Sequence, residues 1–151
     1  MKTFRNNSLR SLFTGLLMAA LLWIPGTADA SVNGAKIRAA QMFQTLAGQY
    51  SLNVRPAYTY GLLKRGQSIV IRTTLHAGNN YILAAGGCED AYDVDIAVFD
   101  GNGNLVANDS DLQPVAVARV TPIYTGTFFV KITMSNSTFN GAHYVLQYAW
   151  Y

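Results

Sequence analysis

Alternation of apolar and polar residues is clearest between positions 93 and 111. Val94, Ile96 and Val98 are separated by less apolar residues, as in a strand that buries one face. Residues 101–104, Gly-Asn-Gly-Asn, tolerate the backbone conformations of a tight reversal, and an apolar return segment follows. The pattern therefore predicts a β-hairpin.

Short segments rich in β-branched and aromatic residues continue from residue 55 to the C-terminus, separated by Gly, Asn, Asp and Pro. This spacing predicts an all-β sandwich or barrel. Alternate residues from Phe128 to Met134 are apolar, and alternate residues from Tyr144 to Trp150 are aromatic or aliphatic, so both stripes are predicted to be core. The predicted strands cover residues 56–63, 67–75, 80–86, 93–99, 105–109, 115–120, 126–134 and 142–150.

Residues 35–50 have helical rather than strand periodicity. Ala39, Phe43, Leu46 and Tyr50 lie on one face, with mostly polar residues opposite. Such a helix either packs on its own domain or docks a partner. Amphipathic helices normally face their own core, which favours the first interpretation.

The first thirty residues have the parts of a secretory signal. Basic residues precede an uncharged run over 12–24, and a small-x-small site follows at 28–30. The run is shorter than the roughly 20 apolar residues of a membrane span. We therefore expect a signal peptide over 1–30, no stable membrane span, and a periplasmic or secreted mature chain. That chain divides into a helix and linker over 31–54 and a β-sandwich domain over 55–151.

Charge is distributed unevenly after the leader. Residues 31–151 contain eight basic and seven acidic residues, and all seven acidic ones lie between 89 and 111, where no Lys or Arg occurs. A nucleic-acid ligand would need a basic patch, so none is expected. The lone Cys88 cannot form an intrachain disulfide; an inert thiol is favoured over pairing between chains, and a homo-oligomer is left open.

Six of the acidic residues are predicted to gather at the end of the hairpin away from its turn. Neighbouring carboxylates raise one another's pKa unless a cation intervenes, and Ca²⁺, with its many oxygen ligands, fits best. The alternative is that these residues form turns and solvated strand edges. The candidate metal ligands are Glu89, Asp90, Asp93, Asp95, Asp109 and Asp111.

Catalytic patterns are sparse in this sequence. The two histidines, His76 and His143, lie far apart and have no metal-ligand spacing, and there is no Gly-x-Ser-x-Gly turn. We therefore expect a protein that is not an enzyme. The aromatic candidates for binding a sugar ligand are Tyr92 and Phe99, with Phe139 and Tyr151 as further possibilities.

Three segments match the pattern of a known family: 93–100 (Asp-Val-Asp-Ile-Ala-Val-Phe-Asp), 122–128 and 144–146. Through them, residues 56–150 resemble the bacterial pre-peptidase C-terminal domain, which is appended to secreted proteases and related to the collagen-binding domains of collagenases. The resemblance implies a jelly-roll-like antiparallel β-sandwich of about eight strands, here preceded by one α-helix. It also implies a non-catalytic accessory role, with Ca²⁺ or a matrix polymer bound in some members.

The functional expectation is a non-catalytic exported module that recognises a protein or a polysaccharide and is stabilised by Ca²⁺. The alternative is a subunit or assembly factor of a cell-envelope complex that docks through the N-terminal helix.

Overall fold

A computed structural model describes residues 31–151, and the signal-peptide prediction for 1–30 lies outside them. Within this range one helix precedes nine strands in two antiparallel sheets, which confirms the predicted all-β sandwich. The elements are α1 (Val32–Ala47), β1 (Asn53–Val54), β2 (Thr59–Leu63), β3 (Ser68–Leu75), β4 (Tyr81–Gly87), β5 (Ala91–Phe99), β6 (Leu105–Asp109), β7 (Val115–Val120), β8 (Gly126–Ser137) and β9 (Ala142–Trp150).

The strand order is that of a jelly roll. Sheet A has the order β1-β9-β4-β7, with β2 also paired to β9, and sheet B has the order β3-β8-β5-β6. Between β2 and β9 the chain changes sheet at every connection except the β5–β6 hairpin, as in the two Greek keys of a jelly roll. Within the hairpin, Ile96 pairs with Asp109 and Ala97 with Asn108, which confirms the predicted reversal.

The predicted strands correspond to β2 through β9, with small differences at their ends. The two-residue β1 was not predicted, because so short a segment has no periodicity. The helix begins at Val32, earlier than predicted, because the Ser31 hydroxyl accepts a hydrogen bond from the Gly34 N–H at 3.2 Å and caps it. It ends at Ala47, before the predicted Tyr50.

The main core lies between the two sheets. Phe128, Val130, Ile132 and Met134 are all buried on the inner face of β8, as predicted. In β9 the predicted stripe is buried from Tyr144 to Tyr148, whereas its last member, Trp150, is half-buried and packs against the core.

Helix α1 covers the outer face of sheet A, so the helix packs on its own domain. A Cβ on Gly86 would overlap the Ala35 carbonyl oxygen and lie 2.7 Å from the Ala39 nitrogen, so the two backbones are nearly in contact. Arg38 Nη1 donates to the carbonyl oxygens of Gly87 at 3.1 Å and Cys88 at 2.6 Å. With a layer on each side, all seven residues of β4 are buried.

Among residues 31–151, none of the helical structure combines the length and apolar character that crossing a membrane requires.

Substitution Gly86→Ala is expected to destabilise the protein by about 1–3 kcal/mol, because the obstructing atoms belong to the helix backbone and cannot rotate away. Gly48→Ala is the matched control, since nothing lies within 4 Å of its added Cβ and its φ is −69°. Thermal or urea unfolding measures both. Equal stability of the two variants would contradict the close contact between α1 and β4.

Candidate binding face

The outer face of sheet B has no layer of described residues over it, in contrast to sheet A. Directly opposed residues in antiparallel strands share a face. In β8 the outward-facing residues alternate with the buried ones. The residues of β3 and β5 that are directly opposite these outward-facing residues belong to the same outer face. We call this surface the binding face; its residues are Ser68, Val70, Arg72, Thr74, Asp95, Ala97, Phe99, Thr127, Phe129, Lys131 and Thr133.

Two aromatic rings lie side by side at the middle of the binding face. Phe99 on β5 is directly opposite Phe129 on β8, and Arg72 on β3 is opposite Phe129 on its other side. Leu105 extends the row onto β6. Both phenylalanines are half-buried, whereas Arg72 and Leu105 are exposed. Four strands about 4.8 Å apart give this row a width of roughly 14 Å.

A polar row crosses the same strands nearer the start of β5. Ser68, Thr133 and Asp95 are neighbours across β3, β8 and β5. The Ser68 and Thr133 hydroxyls lie 2.8 Å apart, and Ser135 Oγ donates to Asp95 Oδ2. The binding face thus presents an apolar strip beside a strip of hydrogen-bonding groups.

Asp93 is an unusual carboxylate near this polar row. It is only 8% exposed, and its Oδ1 is buried without a hydrogen-bond partner. The strand is irregular on both sides of it, between Ala91 and Asp93 and between Asp93 and Val94. Desolvation, and secondarily the charge of Asp95, raise the pKa of Asp93 above its ordinary value. No described group therefore compensates the charged form of this carboxylate.

The predicted gathering of all six acidic residues is wrong, because alternation along the strands separates them. Asp109 is opposed to the buried Ile96, so it shares the inner face, whereas Asp95 shares the outer face with Thr133. Asp109 Oδ2 accepts a hydrogen bond from the Val117 N–H at 2.8 Å, and Oδ1 accepts from the Asp111 N–H at 3.2 Å. Asp109 therefore joins the edges of the two sheets.

Glu89 and Asp90 also make contacts within the fold that do not involve a metal ion. The Glu89 carboxylate occupies the space that a side chain at Gly34 would take, in the first turn of α1, where the helix dipole favours a negative charge. The Asp90 carbonyl oxygen accepts from the Thr138 N–H at 3.0 Å. Within 31–151, no group of three or more His, Cys, Asp or Glu residues is arranged to hold a metal ion. Calcium binding stays a prediction, with Asp93 and Asp95 as its remaining candidates.

Asp100 organises the tip of the hairpin. Its carboxylate accepts from the Asn102 and Asn104 N–H groups, both at 2.9 Å, and from Asn104 Nδ2 at 3.0 Å. These hydrogen bonds, the Asn104 side chain first, lower the pKa of Asp100. Gly103 has a φ of 84°, as the predicted reversal requires.

The two predicted ligand-binding aromatics do not form one site. Phe99 belongs to the binding face, but Tyr92 lies at the other end of β5, roughly 23 Å away at 3.3 Å per residue. Phe129 was not among the predicted ligand-binding residues, although strand alternation places it on the face of β8 opposite to the buried residues. Tyr151 stacks on Tyr50 with ring centroids 4.2 Å apart. Cys88 is fully buried, as favoured.

No protein-family model and no curated protein sequence gives a significant match to the chain.

Substitution Asp93→Asn is expected to raise the melting temperature at pH 7, because the raised pKa makes the charged form costly in the folded state. The gain in unfolding free energy is expected to be on the order of 1 kcal/mol, which corresponds to a few degrees in a domain of this size. The gain should disappear near pH 3, since a raised carboxyl pKa favours folding below the unfolded-state pKa and loses this effect as the pH rises through the folded-state pKa.

Asp111→Asn is the matched control, because Asp111 is exposed. A wild-type protein more stable than Asp93→Asn at pH 7 in the absence of added cations would contradict the uncompensated burial of Asp93.

Proposed function

We propose that the protein is an exported, non-catalytic module that recognises a polysaccharide through the outer face of sheet B. The observation that carries the proposal is the directly opposed pair Phe99 and Phe129 on a sheet face that no described element covers. Together with the exposed Leu105, the two half-buried rings form an apolar strip of the kind that marks interaction sites. The leader-like residues 1–30 support export.

The chemistry of the face suits a sugar polymer. The C–H faces of sugar rings are apolar and stack on aromatic rings, while their hydroxyls need donors and acceptors at the rim. Phe99 and Phe129 supply the rings. Ser68, Thr133 and Lys131 supply neighbouring polar groups. A protein ligand is the other occupant that this face admits.

The assembly-factor alternative has less support from the packing. Such a protein would dock through α1, and the apolar face of this helix, with Ala39, Phe43 and Leu46, is buried against the domain. The opposite face retains Ile37, which is half exposed. The resemblance to the pre-peptidase C-terminal domain remains a prediction, and a jelly-roll strand order is compatible with it.

Co-sedimentation with insoluble cellulose, chitin and peptidoglycan tests the proposal, with fibrillar collagen as the protein arm. Substitution of both Phe99 and Phe129 by Leu keeps apolar volume but removes the rings, and is expected to reduce polysaccharide binding at least tenfold. Phe139→Leu is the matched comparison, because Phe139, a further candidate from the sequence, is 97% exposed but lies in the loop between β8 and β9, outside the binding face.

Equal binding by the wild type and the double variant would exclude this face as the site. Retention on collagen alone would replace the polysaccharide by a protein ligand.

We further propose that Asp93 and Asp95 contribute to a Ca²⁺ site. The unpartnered Oδ1 of Asp93 supports this, because two carboxylates supply part of the oxygen shell that Ca²⁺ requires and water completes it. Calorimetric titration with Ca²⁺ should show binding to the wild type and to Asp111→Asn, but not to Asp95→Ala. Added Ca²⁺ should also raise the melting temperature of the wild type, but not that of Asp93→Asn or Asp95→Ala. The absence of both heat and thermal shift in the wild type would remove calcium from the proposal.

A further inference from the structure

The open edges of the two sheets differ in how they are protected from pairing with another strand. Unprotected edges carry rows of free N–H and C=O groups, and proteins interrupt them with short strands, bulges, prolines or lysines. Sheet A ends in β1 and β2 on one side and in β7 on the other, and sheet B ends in β3 and β6.

Three of these four edges are interrupted or occupied. β1 and β2 are short and are separated by a segment that contains Pro56. β6 has five residues, and its register shifts opposite Val98 and Phe99. On β7 the Val117 N–H is taken by Asp109.

Strand β3 has none of these protections. Its eight residues, Ser-Ile-Val-Ile-Arg-Thr-Thr-Leu, pair with β8 without any register shift. The strand contains no proline or lysine, and Arg72 is its single charged residue. Ile69 and Val70 are exposed. β3 is therefore the longest uninterrupted edge among the described residues.

The hydrogen bonds between β3 and β8 show which backbone groups of β3 point away from β8. Gly66 N–H donates to the Met134 carbonyl at 2.7 Å, and Met134 N–H donates to the Gln67 carbonyl at 2.9 Å. Because ladder bonds alternate along an antiparallel strand, the next bonded residue of β3 is Ile69. The backbone groups of Ser68, Val70, Arg72 and Thr74 then point away from β8.

We infer that β3 pairs with β3 of a second copy of this chain, antiparallel, so that two sheets B join into one eight-stranded sheet. The strand is compatible with itself in one favourable register. Outward-facing residues must oppose outward-facing residues, and pairing Val70 with Arg72 of the second copy satisfies this along the whole strand. In the register displaced to one side Arg72 would oppose its own copy, and directly opposed like charges are destabilising. In the register displaced to the other side Arg72 would oppose Ser68, and Thr74 would lie beyond the start of the partner's β3, so fewer residues would pair.

Two properties favour a second copy over a foreign peptide. Antiparallel pairing of β3 with its own copy generates a two-fold axis, the commonest symmetry of soluble oligomers, and opposes no like charges in this register. Residues 31–151 carry eight basic and seven acidic residues, so two copies repel each other little. A two-fold axis perpendicular to the sheet also leaves both binding faces on the same side, although the dimer does not depend on the proposed function.

Sedimentation velocity on the protein expressed from its full sequence tests the inference between roughly 1 µM and 1 mM. The wild type is expected to change from monomer to dimer in this range. Val70→Pro removes an outward N–H without removing a β3–β8 ladder bond, and should shift the midpoint at least tenfold toward higher concentration. Val70→Lys, which places a lysine opposite Arg72 of the second copy, should do the same. Val70→Thr keeps the N–H and is the control.

Cross-linking tests the register. Ile71 lies on the two-fold axis in a non-hydrogen-bonded pair, where Cα atoms are about 4.5 Å apart and a disulfide is feasible. Ile71→Cys should therefore form a covalent dimer on mild oxidation. Ile69→Cys is the control, since its two copies lie four residues apart along the ladder; the native Cys88 is buried.

A wild type that stays monomeric throughout the range overturns the inference. A dimer that persists in both Val70→Pro and Val70→Lys, or a disulfide formed by Ile69→Cys and not by Ile71→Cys, overturns it as well.

Discussion

The close approach of α1 to β4 determines how the rest of the molecule is exposed. Gly86 has no side chain, so the backbone around Ala35 and Ala39 rests almost directly on the strand, and Arg38 ties the helix to the carbonyl groups at the strand end. Sheet A is consequently an interior layer between the helix and sheet B. The outer face of sheet B is not covered by any described element. The missing side chain at Gly86 thus allows α1 to cover sheet A, whereas the outer face of sheet B stays uncovered.

The acidic residues illustrate how strand alternation distributes charge. A carboxylate on the inner side of a sheet edge can satisfy a backbone N–H of the facing sheet, as Asp109 does for Val117. One at a hairpin tip can hold the turn, as Asp100 does, and one near a helix start interacts with the helix dipole, as Glu89 does. Asp93 differs because its buried oxygen has no partner, and such a group costs free energy unless a proton, a cation or a donor compensates it. Among the described acidic residues, Asp93 alone has a buried carboxylate oxygen without a hydrogen-bond partner.

A jelly roll leaves four strand edges, and their treatment is uneven here. Short strands, a register shift and the Asp109 bridge interrupt three of them, whereas β3 retains an unbroken ladder of free backbone groups beside the aromatic row of the binding face. The free face and the free edge belong to the same sheet. Both proposals therefore assign the contacts with other molecules to sheet B, whereas the outer face of sheet A is covered by α1.

The sequence alone determined the element types, because period-two alternation and turn residues are local properties that survive without tertiary context. Eight strands, the helix, the reversal at Gly103 and the core stripe of β8 were all predictable on this basis. The residues of β4 form an unbroken uncharged run, which is typical of a strand that is buried on both faces but shows no period-two alternation. Which carboxylates come together was decided only by the tertiary structure, since one step along a strand reverses the face and sends Asp95 and Asp109 to opposite sides. The same holds for the pairing of Phe99 with Phe129, because thirty residues of chain separate them and only the sheet order makes them neighbours.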